Sequence, residues 1–226
     1  MISSNINRIR ESIRVKCEQS GRDPEEVKLI AVSKTKPVSE ILDAFENGII
    51  HFGENKAQEL RDKNETINKE VSWHFVGHLQ KNKAKYVVKA AEYFHGLDSI
   101  ALAVEISKRA KQEGKIQKVL LEIKTSDEES KFGLEDKSEI IDLLTYCKND
   151  EYLDSIGLMT MAPYTDDESR IRKSFRSLRM LKNELNDLGF TLRELSMGMT
   201  SDYLLAIEEG ATMVRIGTGI FGSRNY

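Results

Sequence analysis

The chain has 226 residues, a formal net charge of −3, 39% hydrophobic and 31% charged residues, which suits one large α/β domain or two small ones with ample core. The acidic balance argues against a nucleic-acid protein, and no apolar run reaches membrane-spanning length. The first residues lack the continuous apolar stretch of a signal peptide, so a cytoplasmic protein is expected.

Residues 4–20 predict an amphipathic helix, with Ile6, Ile9, Ile13 and Cys17 spaced by three or four and Gly21 beyond them. Asp23-Pro24-Glu25-Glu26 predicts a short capped turn. Leu29-Ile30-Ala31-Val32-Ser33 then runs into Lys34 and stops at Pro37. That is the pattern of a short strand buried on both faces, as in a parallel sheet, with Lys34 at its carboxyl end. Ser39 is expected to cap a helix holding Ile41, Leu42 and Phe45, closed by Gly48. Strands follow at 49–52, 71–76 and 93–97, and helices at 56–68, 81–91 and 99–113. The second half repeats the alternation. It reads as a strand at 119–123, a polar loop at 125–133, a helix at 136–149 and a strand at 156–161. Asp166 or Asp167 caps a long helix with the buried stripe Ile171, Phe175, Leu178, Leu181, Leu185 and Leu188. A strand at 192–197, a short helix from Ser201-Asp202 to Gly210 and a strand at 212–216 complete the chain. Cys17 and Cys147 both fall at helical positions and read as reduced thiols.

Eight strands alternate with helices and no linker interrupts them. The expected fold is α/β, a single (β/α)8 TIM-type barrel over residues 1–226. Only ten residues follow Ile216, so the helix at 4–20 is available to complete the outer ring. An open doubly wound sheet is the alternative, but no GxGxxG turn follows the first strand.

Ligands of such folds collect at the carboxyl ends of the strands. A lysine desolvated there becomes a nucleophile for aldehydes, although Lys34 could equally end its strand and reach into solvent. The seventh strand runs into Ser196-Met197-Gly198-Met199-Thr200-Ser201, the eighth into Gly217-Thr218-Gly219. Glycine lets backbone amides approach a phosphate and hydroxyls add donors, while ordinary turn chemistry uses the same residues. Arg215 interrupts the apolar run Met213-Val214-Arg215-Ile216 and should point into the barrel. A buried guanidinium needs an acceptor, either a structural glutamate or an unprotonated pyridine nitrogen. Lysine, phosphate cradle and buried arginine together describe a site for pyridoxal 5′-phosphate (PLP). Lys36 competes with Lys34 as the amine that meets the aldehyde, but Lys34 is nearer the mouth. His74 is expected to face the barrel interior near the cofactor ring. It lies four residues from His78 without a third ligand cluster, so no metal site is expected. Lys81, Lys83 and Lys85 read as a solvated helix face.

Six stretches carry a family resemblance. They are Ala31-Val32-Ser33-Lys34-Thr35-Lys36-Pro37, Phe52-Gly53-Glu54-Asn55, Trp73-His74-Phe75-Val76-Gly77-His78-Leu79-Gln80, Gly157-Leu158-Met159-Thr160-Met161, Ser196-Met197-Gly198-Met199 and Val214-Arg215-Ile216-Gly217-Thr218-Gly219-Ile220-Phe221-Gly222. In these the sequence resembles the pyridoxal phosphate homeostasis protein family, whose barrel is similar to the amino-terminal domain of alanine racemase. The resemblance implies a fold-type III PLP-binding barrel without the extra β domain. It implies that Lys34 forms the Schiff base, that Arg215 meets the ring nitrogen, and that Ser196, Gly217 and Thr218 hold the phosphate, within a loop that includes Met197 and Gly198. Asn55 would line the ring face. Thr200-Ser201 departs from the family's usual Ser followed by an acidic residue, which leaves open whether Ser196, Thr200 or Ser201 serves the phosphate. The implied function is a monomeric carrier or buffer of PLP that hands the cofactor to apoenzymes, with no nucleic-acid or membrane partner. A PLP-dependent racemase or decarboxylase is the alternative, and a barrel aldolase acting on a phosphosugar a third reading. Racemisation needs a second base, and Tyr164 or His74 would have to supply it.

Overall fold

The computed structural model describes residues 1–126 and 132–222, so Lys131 and the middle of the predicted loop 125–133 lie outside the described residues. The chain opens on helix α1 (Ile2–Gln19), which buries Ile6, Ile9, Ile13 and Cys17. Strand and helix then alternate: β1 (Lys28–Val32), α2 (Val38–Glu46), β2 (His51–Glu54), α3 (Ala57–Thr66), β3 (Ser72–Phe75), α4 (Ala84–Ala90), β4 (Tyr93–Leu97) and α5 (Ile100–Gln112). The second half follows with β5 (Gln117–Glu122), α6 (Lys137–Asn149), β6 (Leu153–Met159), α7 (Glu168–Asp187), β7 (Glu194–Ser196), α8 (Tyr203–Glu208), β8 (Met213–Ile216) and the short α9 (Thr218–Phe221).

Among the described residues the strands close into a parallel barrel in sequence order, with β1 joined to both β2 and β8. Side chains alternate between the two faces of the wall. Ile30, Tyr93, Leu120, Ile156, Met159 and Met213 form one buried cluster, which fills the barrel. A second cluster, with Phe52, Trp73, Phe75, Phe94 and Phe175, packs the wall against the helices. Each such side chain contributes roughly 1.5–3 kcal/mol by leaving water. Helix α1 packs on α2, α8 and α9 and so completes the outer ring where α9 is too short to do so.

Some boundaries differ from expectation. Ser39 does not cap α2, because the extended backbone of Pro37 (φ −68, ψ 157) already sets the entry and the helix starts at Val38. Asp167 rather than Asp166 caps α7, accepting from the Ser169 and Arg170 amides. Leu188 is 57% exposed, because α7 has ended and Gly189 turns the chain at φ +90; the buried stripe stops at Leu185. Ile50, placed in a strand, precedes β2 and is exposed.

Candidate functional site

Beyond β1 the chain makes a tight turn whose backbone is fixed from below. Ser33 Oγ donates to Glu54 Oε1 (2.6 Å). The ammonium of Lys63, on α3, donates to Ser33 O (2.8 Å), Glu54 Oε1 (2.7 Å) and Glu59 Oε1 (2.6 Å). Glu59 Oε1 also accepts from the Thr35 amide (2.6 Å). Thr35 sits at φ +64, a left-handed conformation costing of the order of 1–3 kcal/mol for such a residue. Lys34 is half-buried in this turn, and its amine makes no hydrogen bond or ion pair with any described residue. Lys36 differs: its amine donates to Phe221 O (3.0 Å) and lies 3.4 Å from Glu40 Oε2. The two rival lysines are therefore separated by their partners.

Arg215, on β8, is 5% exposed and lies across from Ile30. Its acceptors are neither a glutamate nor a free group: Nη1 donates to Ser196 O (2.8 Å) and Ser196 Oγ (2.5 Å), and Nη2 donates to Thr160 O (2.9 Å). Three of its five N–H groups are thus engaged, and two remain. Burial pushes its pKa down to about 10 against the pull of Asp202 and Glu122.

Behind Arg215 the barrel holds a line of polar side chains. His95 Nδ1 lies 2.9 Å from Ser196 Oγ, His95 Nε2 lies 2.9 Å from His74 Nδ1, and His74 Nε2 lies 3.1 Å from His51 Nδ1. The His74 ring stacks on Tyr93 at 4.3 Å. Desolvation, then neighbouring positive charge, holds all three imidazoles below their ordinary value, with His74 and His95 far below it. Two of the expected cofactor residues sit deep in the barrel wall. His74 does face the interior, but it is fully buried with both nitrogens engaged, so none is left for a cofactor. The Ser196 hydroxyl, expected on phosphate, is fully buried between Arg215 and His95.

The loops after β7 and β8 meet at other hydroxyls. Thr218 Oγ1 donates to Thr200 Oγ1 (3.3 Å), which also accepts from the Gly219 amide (3.4 Å). Ser201 is exposed. Buried Asp202 accepts from the Met199 amide (2.5 Å), and Gly198 O accepts from the Arg215 amide (2.9 Å). Gly198 has φ +93, and a Cβ there would come within 2.6 Å of the Ala206 Cβ, so only glycine lets α8 pack this closely. Met197 is buried, and Gly217 precedes α9.

Two further groups stand at the carboxyl ends of β2 and β5. Asn55 Oδ1 is buried without a hydrogen-bond partner. Glu122 is 4% exposed, and its carboxylate makes no hydrogen bond with any described residue. Burial and Asp98 push its pKa up to about 7, with Arg215 pulling the other way. The sequence reading missed Glu122, although it breaks the run Val119-Leu120-Leu121-Glu122-Ile123 as Arg215 breaks its own. It also missed His51 and His95. Among the described residues no group of three or more His, Cys, Asp or Glu side chains is placed to hold a metal, and no helix is long and apolar enough to cross a membrane. His78 instead stacks on Phe132 and lies 3.6 Å from Asp98.

The model of the alanine racemase N-terminal domain matches residues 4–225. A pyridoxal phosphate homeostasis protein of Aquifex aeolicus is 40% identical, over 98% of this chain and 97% of its own length. The protein of the same name from Escherichia coli is 36% identical, over 100% and 97%. The structure of PipY from Synechococcus elongatus with PLP bound is similar at a TM-score of 0.87 and 33% identity, covering 98% of this chain and 100% of that one. Alanine racemase of Clostridium difficile shares the barrel alone: TM-score 0.81, 15% identity, with 57% of the racemase covered. By its closed parallel barrel and these full-length relatives, the chain belongs to the pyridoxal phosphate homeostasis protein family.

Proposed function

We propose that this chain binds PLP at the carboxyl-terminal mouth of its barrel and acts as a cytoplasmic carrier or buffer of the cofactor, with little or no turnover of its own. The observation that carries the reading is Lys34: an uncommitted amine on a stapled turn, beside a Lys36 that is tied down. The surrounding groups fit the cofactor. Two N–H groups of Arg215 remain for the ring nitrogen, Thr200, Thr218 and the backbone of Gly198 and Gly217 for the phosphate, the Met197 amide being engaged by Met213 O (3.1 Å), and the orphaned Asn55 oxygen for a donor beside the ring. Bound PLP supplies an aldehyde that condenses reversibly with a primary amine and a ring that can take up electron density.

The same residues argue against catalysis. Racemisation needs a proton acceptor on each face of the substrate, and Lys34 serves one. Tyr164 is 99% exposed, and both nitrogens of His74 are engaged. An arginine partner cannot give up its proton, so the ring nitrogen stays unprotonated and the ring is a weak electron sink. Exchange of the aldehyde between Lys34 and an incoming amine survives both limits, and a carrier meeting apoenzymes transiently needs nothing more.

Borohydride reduction of the loaded protein followed by peptide mapping should place the cofactor on Lys34, and Lys34→Ala should lose the visible absorbance while keeping its fold. Cofactor on Lys36 or Lys131, with Lys34 unmodified, would refute the assignment. Incubation with a panel of amino acids in deuterated water should give no catalytic exchange of the α-proton; multiple turnovers of any product would make the protein an enzyme.

A further inference from the structure

The side chains behind Arg215 have a direction as well as a sequence. Arg215 can only donate, so Ser196 Oγ accepts from it. The Ser196 proton then has one side-chain acceptor beside it among the described residues, His95 Nδ1. His95 must carry its own proton on Nε2 and donate to His74 Nδ1; His74 must do the same toward His51 Nδ1. With every bond reversed, the Ser196 O–H would be orphaned in a fully buried place, which folded proteins avoid. Each ring must be neutral to donate on one side and accept on the other, in keeping with their downward-shifted pKa values. The rings come from three consecutive strands, β2, β3 and β4, and Tyr93 stacked at 3° to His74 fixes the plane of the central one.

We propose that His51, His74 and His95 are positioning residues for Arg215: with Ser196 they form a one-way hydrogen-bond relay through the barrel that holds the guanidinium in a single orientation toward the ring nitrogen of the cofactor. What Arg215 faces rests on the PLP reading above; the relay rests on the geometry alone. His51 is the half-buried end, at the amino-terminal face, with Lys28 of β1, Tyr93 of β4, Lys118 of β5, Glu194 of β7 and Glu92 around it. A second proton on His51 removes the acceptor of the last link, from His74 Nε2.

Two measurements test the relay. In nitrogen-15-labelled protein free of cofactor, at neutral pH, histidine side-chain NMR should show His51, His74 and His95 all with the proton on Nε2 and a bare Nδ1. A proton on His95 Nδ1, or a charged ring at any of the three, overturns the proposal. The second compares PLP with its deaza analogue, in which CH replaces the ring nitrogen. His95→Leu should weaken PLP roughly tenfold, as for a lost hydrogen bond to a charged group, and leave the analogue's affinity unchanged. Equal losses for both ligands make the histidine a packing residue and overturn the proposal. If His95→Leu does not melt cooperatively, His51→Phe at the half-buried end is measured in the same way, with a smaller loss expected for PLP alone and equal losses again overturning it. Failure of the unaltered protein to bind PLP overturns the cofactor reading, and the tautomers still decide the relay.

Discussion

Glu122 ends β5 as a buried carboxyl whose pKa is pushed up to about 7, first by burial and then by Asp98. Its folded value lies above its ordinary 4.5, so the fold prefers the protonated form. The stability this residue contributes is whole below pH 4.5 and is lost as pH rises through about 7. The full gap is worth about 3 kcal/mol. Glu122→Gln, which keeps the shape and removes the charge, should raise the urea-unfolding stability by about 2–3 kcal/mol at pH 8.5 and leave it nearly unchanged at pH 4. An equal gain at both pH values would exclude burial of charge as the cause. Residues of this kind were only half legible in the sequence. Arg215 was found because a permanent charge inside an apolar run demands an explanation. Glu122 does the same on β5, but its neighbours Asp98 and Arg215 come from the residue after β4 and from β8, and no local pattern brings them together. His51, His74 and His95 are likewise joined only by the register of three strands. That register also brings the Ser196 hydroxyl between Arg215 and His95.

At the scale of elements, the loops after β7 and β8 form the part of the mouth richest in hydroxyls and glycines. Thr218→Val removes the hydroxyl that faces Thr200 and keeps the shape. It should weaken PLP roughly tenfold, the worth of a hydrogen bond to a charged oxygen, and leave pyridoxal without its phosphate unaffected. Isothermal titration with both ligands checks this; equal effects on both would move the phosphate elsewhere. The existence and order of the helices and strands were readable because each carries its own periodicity. Their ends were less so, since they depend on tertiary context. Pro37 starts α2 before the serine that looked like its cap, and β2 begins only at His51, where its first partner on β3, Ser72, lies.

For the whole molecule, the outer ring is completed by α1, which is sequentially remote from two of the helices it packs on, α8 and α9. Besides packing on α8 and α9, it donates from Asn5 Nδ2 to Ile220 O (2.9 Å). Deleting residues 1–20 exposes the partners of Ile6, Ile9, Ile13 and Cys17, about 6–12 kcal/mol of burial. That equals the whole stability of an ordinary domain, so the truncated chain should show no cooperative thermal transition by circular dichroism. A sharp transition would show that the eight strands close without it. The buried Lys63 network beneath the Lys34 turn has a kinetic consequence. With Ser33 and Thr35 both pinned, only the side-chain torsions of Lys34 stay free, and once the phosphate is docked the amine and the aldehyde meet as parts of one body. Well-oriented groups of that kind react at effective concentrations on the order of 10⁵ M or more. Capture should therefore be first-order after docking, at a rate independent of protein concentration in stopped-flow absorbance. Lys63→Met should slow that step while the dissociation constant of inorganic phosphate stays where it was; an unchanged step would mean that the turn keeps its shape without the staple.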